Sequence, residues 1–423
     1  MHGMDILPRH ATEAVLRRLD SFRVVVVTGA RQVGKSTLAR LVLQRRAGRY
    51  LTLDDPLTLS QAAEDPDGLV APGGGLTVID EVQRAPDVLR AVKLAVDRDP
   101  SPGRFLLTGS ANLLGLRSVT ESLAGRAVYL ELLPLSWSEM IGAPRPATLD
   151  AAFSAGSARE FAAAVSPGFA DGAEHARARA LAGGMPEACV LAPEDRRLWY
   201  ESYRRTFLEC DLRQLSEISS VPEFGRLTSL ALLRTGGLLN KSQLASDAKI
   251  SHTTADRYLS LLEVAYQIRL VQPYFPNVAK RLVKSPKLLA VDSGAAAWAA
   301  NAWDWRAAVA AGRDGALLET FAISDLISWD GLSGVSRYHF WRTAAGAEVD
   351  LVVERGDRVV AVEFKSSRSL GHRDASGLRA LQGDAGSRFQ LGLVAYLGED
   401  VRVLGERLVA VPLSSLLGVG PPG

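Results

Sequence analysis

Residues Gly29-Ala30-Arg31-Gln32-Val33-Gly34-Lys35-Ser36-Thr37 combine spaced glycines with a lysine and two hydroxyls, the residue types that can wrap a triphosphate. Such glycines let successive backbone N–H groups turn toward negative charge, and the N-terminus of a following helix adds its dipole. Lys35 would then reach the β- and γ-phosphates of ATP, and the Ser36 hydroxyl would ligate Mg²⁺. A glycine-rich turn with a chance lysine would read similarly. The apolar run Phe22 to Val27 before it and the periodic stretch Thr37 to Leu43 after it favour the phosphate reading, because they supply strand, loop and helix in order. Asp80 and Glu81 close another apolar run, Leu76 to Ile79. Beside the loop, Asp80 would hold hydrated Mg²⁺ and Glu81 would orient and polarise the attacking water. Leu106-Leu107-Thr108-Gly109-Ser110 ends the next run, which makes Ser110 a candidate sensor of the γ-phosphate, with Thr108 as alternate. Hydrolysis of a phosphoanhydride is mostly charge stabilisation, so a cationic finger is expected. Arg126 is the first candidate and Arg117 the second. A finger that serves a neighbouring subunit's nucleotide would require a homo-oligomer.

A second constellation lies toward the C-terminus. Asp350 follows Glu348-Val349, and Glu363-Phe364-Lys365 sends Glu363 and Lys365 to one face of a strand. Two acids and a lysine at a strand end could bind Mg²⁺ or Mn²⁺ and polarise water for attack on a phosphodiester, with Glu319 from a preceding helix completing the site. An exposed strand with paired charges has the same spacing. Between the two constellations, Leu239 to Leu262 reads as helix, tight turn and second helix with Ser251 as N-cap, followed by the extended Ile268 to Pro273. That order suits a winged helix-turn-helix. His252, Thr253, Thr254, Asp256 and Arg257 would be exposed on the second helix, where His252, Thr253, Thr254 and Arg257 could face a DNA groove. The same unit could serve a protein partner. Lys280, Arg281, Lys284 and Lys287 make a plausible backbone-phosphate track, and a solvated basic loop explains them nearly as well.

The elements that must position these groups follow from hydrophobic periodicity. Residues 11–19 predict a short amphipathic helix. Strands are expected at 50–54, 76–80, 104–108 and 127–132, with helical spacing between them, as in a parallel sheet covered on both faces. This places an α/β nucleotide domain at 1–142. Residues 143–194 are rich in alanine, glycine and proline and read as a helical lid or connector. A helical and winged-helix domain is expected at 195–290, with helices over 201–215 and 223–234. At 301–423 a small α/β domain with a mixed sheet is expected, with a helix at 316–327 and strands at 337–343, 347–354, 358–365 and 391–396.

At 423 residues and 47% apolar content the chain exceeds what one core usually holds. With 49 Lys and Arg against 47 Asp and Glu, net charge excludes nothing; a nucleic-acid surface would have to be local. The two cysteines, Cys189 and Cys210, lack metal-site spacing and suit a reducing compartment. With no signal-peptide core near the start and no run long enough to span a bilayer, a cytoplasmic protein without a membrane partner is expected.

The motifs at 29–36, Ile-Asp-Glu-Val-Gln at 79–83, Leu-Thr-Gly-Ser at 107–110, Ser-Leu-Ala-Gly-Arg at 122–126 and Leu-Leu-Pro-Leu-Ser at 132–136 together resemble prokaryotic AAA+ family ATPases that carry a C-terminal domain of unknown function. Gly-Gly-Met-Pro-Glu at 183–187, Lys-Arg-Leu-Val-Lys-Ser-Pro-Lys at 280–287, Gly-Ala-Leu-Leu-Glu at 315–319 and Val-Glu-Phe-Lys-Ser-Ser at 362–367 extend the resemblance over nearly the whole chain. It implies an AAA+ P-loop ATPase domain, a winged-helix unit and a restriction-endonuclease-like α/β domain similar to PD-(D/E)XK nucleases. In that motif Asp350, Glu363 and Lys365 match directly and Glu319 matches the helical acid. Ala30 departs from the proline of many relatives, and 151–182 matches no motif. The expected function is an ATPase coupling nucleotide state to DNA binding. The alternatives are an ATP-regulated, metal-dependent DNA nuclease and a nucleotide-gated switch for a protein partner.

Overall fold

Val24 to Val27 are all buried, and a strand buried along its whole length belongs inside a sheet covered on both faces. In the computed structural model, which describes residues 6–71, 73–109, 123–208, 218, 220–275 and 284–421, that strand is β1 (Val24–Thr28). It pairs in parallel with β4 (Phe105–Thr108) on one side and β5 (Ala127–Glu131) on the other. With β2 (Gly48–Thr52) and β3 (Leu76–Asp80) it makes a five-stranded parallel sheet of order β2-β3-β4-β1-β5. Each of these strands ends on a polar residue: Thr28, Thr52, Asp80, Thr108 and Glu131. Ligands in open parallel sheets bind at that carboxyl edge. Helix Pro86–Arg98, opened by a proline that needs no N–H partner, turns Val88, Leu89, Val92 and Val96 inward against Val26, Ile79 and Leu107.

The chain divides into two compact units, Met1–Leu133 with Val264–Gln267, and Pro134–Glu263 with Ile268–Gly423. The boundary thus falls before 142, and the segment at 143–194 belongs to the second unit. Its helices Thr148–Ser154 and Ala158–Ala164 pack on the C-terminal strands of that unit. The expected lid or connector is a wall of the C-terminal domain. Asp150 binds Arg355 at 2.8 Å and Arg145 at 3.2 Å, and the same Arg355 pairs with the fully buried Asp330, which also accepts the Tyr338 hydroxyl. Removing Asp330 from its buried pair with Arg355 costs about 3–5 kcal/mol, whereas the half-exposed Asp150 and Arg145 contribute less. The segment has weak periodicity because a helix rich in alanine, such as Gly172–Ala182, packs closely without a strong apolar stripe.

The two domains expected at 195–290 and 301–423 share one sheet. Helix Val221–Leu233, β6 (Gly237–Leu238), helices Lys241–Ala248 and His252–Val264, β7 (Ile268–Pro273) and β8 (Lys287–Ala290) come in order, with β8 antiparallel between β6 and β7. Through Gln272 and Pro273, β7 then pairs with β9 (Arg337–Arg342). Beyond it lie β10 (Glu348–Arg355), β11 (Arg358–Lys365), β12 (Phe389–Tyr396), β14 (Leu408–Pro412) and β13 (Arg402–Gly405), nine strands in all. The far part is mixed, antiparallel over β9-β10-β11 and parallel over β11-β12-β14. Helix Pro193–Thr206 starts before the expected 201, and the rest of the expected span from 209 lies outside the described residues.

The motif at 183–187 has a structural role here. Gly183 adopts φ 71°, and the Gly184 N–H donates to Asp292 at 2.7 Å. The Asp292 carboxylate also accepts the Tyr200 hydroxyl at 2.6 Å and the Ala295 N–H at 3.0 Å, capping helix Ser293–Ala299. Among the described residues no helix is long and apolar enough to cross a membrane.

Candidate functional site

The phosphate loop is set by backbone constraints. A Cβ at Gly29, φ 151°, would lie 2.3 Å from the Leu132 carbonyl, so only glycine fits there. Gly34 at φ 99° starts helix Lys35–Arg45, and Gln32 at φ 60° bends the loop between them. The Lys35 ammonium donates to the carbonyls of Gly29 at 3.1 Å and Ala30 at 2.8 Å, along the inside of the loop. Arg9 braces it from behind, donating to the Val33 carbonyl at 2.9 Å and the Leu133 carbonyl at 2.7 Å.

β3 delivers Asp80 next to that loop. The buried carboxylate accepts hydrogen bonds from the Thr108 and Tyr50 hydroxyls. Burial and then Asp80 raise the Tyr50 phenol well above its ordinary value, while a hydrogen bond with Ser36 works the other way. One hydroxyl thus touches both Ser36 and Asp80, the two residues expected to hold Mg²⁺. A hydroxyl and a carboxylate converging on one point, with a lysine beside them, form a donor set that fits a hydrated Mg²⁺ carrying a triphosphate. Glu81 sits at φ 56°, a strained conformation for a side chain of this size. Its N–H reaches the Thr108 hydroxyl at 3.4 Å, and its carboxylate accepts from Gln83. The site therefore gathers Lys35, Ser36, Asp80, Glu81 and Thr108. Ser110 and Arg117 lie outside the described residues. Arg126 is held in a bidentate pair by Asp97 at 2.6 and 2.8 Å. Arg9 and Tyr50 carried no sequence signal: an arginine upstream and a tyrosine in a strand are common, and only folding aims them.

The C-terminal constellation is also brought together, in company the spacing did not reveal. Glu319 comes from helix Asp314–Asp330, Glu348 and Asp350 from β10, and Glu363 and Lys365 from β11. Lys365 pairs with Glu363 at 2.7 Å, and the Phe364 N–H donates to Asp350 at 2.9 Å. Lys287 corrects its expected place in an exposed phosphate track. Its side chain is 2% exposed, and its ammonium meets Glu319 at 2.7 Å, Glu348 at 3.0 Å and Asp350 at 3.5 Å. Burial and then Asp350 push Glu319 and Glu363 above the usual carboxylate range, and one Glu363 oxygen is buried without a hydrogen-bond partner. Among the described residues no cluster of His, Cys, Asp and Glu has an arrangement able to hold a metal ion.

On helix His252–Val264, His252, Thr253 and Arg257 are exposed and Thr254 is half-buried, its N–H and hydroxyl engaged by Ser251. Asp256 takes Lys241 at 2.9 Å and His252 at 3.3 Å, so part of this face is already charge-compensated. Lys284 is exposed; Lys280 and Arg281 lie outside the described residues.

Residues 21–141 match the family described as AAA domain. Residues 173–305 and 314–416 match two families described as domains of unknown function, DUF8612 and DUF4143. The uncharacterized proteins Rv2008c of Mycobacterium tuberculosis and Mb2031c of Mycobacterium bovis are each 32% identical over 417 residues, 97% of this chain and 85% of each relative. Among solved structures, the Walker-type ATPase PABY2304 of Pyrococcus abyssi superposes with a TM-score of 0.42 at 16% identity, covering 68% of this chain and 94% of that one. The RuvB Holliday junction branch migration motor of Thermotoga maritima gives 0.27 at 17% identity, covering 62% and 86%. The N-terminal unit is an ATP-binding ATPase domain of the AAA type, and the chain belongs to the family that includes these uncharacterized mycobacterial proteins.

Proposed function

We propose that this ATPase hydrolyses ATP with Mg²⁺ and couples its nucleotide state to DNA binding through a winged-helix unit, with the restriction-endonuclease-like domain as a scaffold. The observation that carries the proposal is the convergence of Lys35, Ser36, Asp80, Glu81 and Thr108 at the carboxyl edge of the parallel sheet. Lys35 neutralises the β- and γ-phosphates, and Ser36 and Asp80 hold the Mg²⁺, which supplies charge neutralisation when bound. Glu81 orients the attacking water. Thr108 fixes the direction of the Asp80 carboxylate and the Glu81 backbone. Arg126, once released by Asp97, would serve the nucleotide of a neighbouring subunit in a homo-oligomer, and Ser110 would sense the γ-phosphate.

The DNA part rests on the order helix, strand, helix, helix and two strands over 221–290, with exposed His252, Thr253, Arg257 and Lys284. Phosphate release by wild type and Lys35→Ala tests the ATPase site; equal rates would remove it. Fluorescence anisotropy of labelled duplex in ATP and in ADP, over a salt series, tests the coupling. Affinity that falls with salt and differs between nucleotides supports it. The compensation of Lys241 by Asp256 favours a protein partner as the second reading. Absence of duplex binding at low salt, with turnover intact, would turn the proposal to that reading.

A further inference from the structure

The acids of the C-terminal pocket converge, yet on an ammonium. Lys287 begins β8 and is paired on both sides, with Leu238 of β6 and Val271 of β7, so its backbone is fixed in the sheet. From there its side chain, 2% exposed, runs to Glu319, Glu348 and Asp350 within 3.5 Å. A Mg²⁺ or Mn²⁺ ion in the pocket would need the same carboxylate oxygens at about 2.0–2.2 Å. It would stand within a few ångströms of a positive charge whose side chain is almost wholly buried. The fourth carboxylate is engaged as well, Glu363 holding Lys365 at 2.7 Å, and Glu348 also takes Arg342 at 3.3 Å. Three cations therefore serve the four carboxylates Glu319, Glu348, Asp350 and Glu363. Little charge is left to attract a divalent ion.

We propose that Lys287 is a resident counter-cation standing where a nuclease-like fold would hold its divalent metal. The pocket is then an internal ion cluster that joins β8, β10 and helix Asp314–Asp330, and the C-terminal domain performs no metal-dependent phosphodiester cleavage. Removing the lysine charge uncovers a latent divalent-cation site made of Glu319, Glu348 and Asp350. This inference does not depend on the ATPase reading.

The test uses the full chain without nucleotide, with Asp80→Asn in every sample so that the nucleotide site adds no metal of its own. Mn²⁺ is titrated by calorimetry and by thermal melting. The protein that keeps Lys287 gives neither binding heat nor a rise in Tm. Lys287→Met melts at a lower temperature, binds Mn²⁺ and recovers thermal stability with it, while Lys287→Arg, which keeps the charge, behaves like its parent. Mn²⁺ uptake by the parent that is abolished by Asp350→Asn would overturn the proposal. So would a folded Lys287→Met that takes up no Mn²⁺. Should Lys287→Met fail to fold, Lys287→Gln, which removes the charge, keeps a hydrogen-bond donor and leaves all three carboxylates in place, takes its role; Mn²⁺ uptake by that variant supports the proposal, and its absence overturns it.

Discussion

Replacing Thr108 by valine isolates one hydroxyl at the centre of the nucleotide site. The side chain is 0% exposed, so no water can stand in for it. Its hydroxyl donates to the Asp80 carboxylate and accepts the Glu81 N–H at 3.4 Å. Valine keeps the β-branched shape and deletes both contacts, leaving the half-buried Glu81 amide without this acceptor and the buried Asp80 carboxylate with one donor fewer. Each buried group left unsatisfied costs about 1–3 kcal/mol. If the loss is felt where charge develops during hydrolysis, kcat falls by roughly 5- to 150-fold. The KM for ATP changes little, because Thr108 contacts the Asp80 carboxylate and the Glu81 backbone beside it, and the loop that grips the phosphates is untouched. Steady-state phosphate release over a range of ATP concentrations gives both constants, and thermal melting reports on the fold. Thr108→Ser, which restores the hydroxyl, recovers most of the rate. A Thr108→Val enzyme with kcat within about twofold of wild type and an unchanged Tm would refute the reasoning, since a hydroxyl that aligns the acids cannot be deleted at no cost in rate.

Lys35→Ala should lower kcat/KM for ATP by about a hundredfold or more while leaving the melting temperature near wild type, because its charge faces the loop interior and holds up no core. Gly183→Ala should lower Tm: its φ of 71° strains any side chain, and the new Cβ would lie 2.4 Å from the Asp292 carboxylate, a cost of about 2 kcal/mol or more. Gly383→Ala is the control, since nothing lies within 4 Å of its Cβ, and it should leave Tm unchanged or raise it. Asp325 is buried, and that burial raises its carboxyl from 3.8 to about 7. The folded state then binds a proton more readily than the unfolded one between those values. Its contribution to stability is complete below pH 4 and is lost as pH rises through 7, at up to about 1.4 kcal/mol per unit. Melting curves from pH 5 to 8 should show a shallower decline for Asp325→Asn than for wild type; parallel declines would count against this assignment.

The parallel sheet was legible because its strands are buried on both faces and so carry continuous apolar runs. β1, β3 and β4 lie within a residue or two of where the run Phe22 to Val27 and the strands expected at 76–80 and 104–108 put them. The strands β13 and β14 were missed, as were the helices at 148–154 and 158–164: short elements that pack edge-on leave little periodic signal. Composition changes at 142, close to the end of the AAA match at 141, whereas contacts change at Pro134. Alanine-rich sequence looks loose when read alone and packs tightly when a sheet is offered to it.

By itself, the sequence determined the groups whose spacing is their function. The proposed roles of the nine consecutive residues from Gly29 to Thr37, and of adjacent Asp80 and Glu81, rest on local backbone geometry that neighbours along the chain impose. Only the tertiary structure decided what meets them from a distance. Thr108 and Tyr50 reach Asp80 across the sheet, and Arg9 props the loop from far upstream. Lys287 belonged by its neighbours to a basic surface segment, and the sheet buried it among acids instead. A charge in sequence has no fixed partner. Its role is set by the dielectric and the counter-charges that folding places around it.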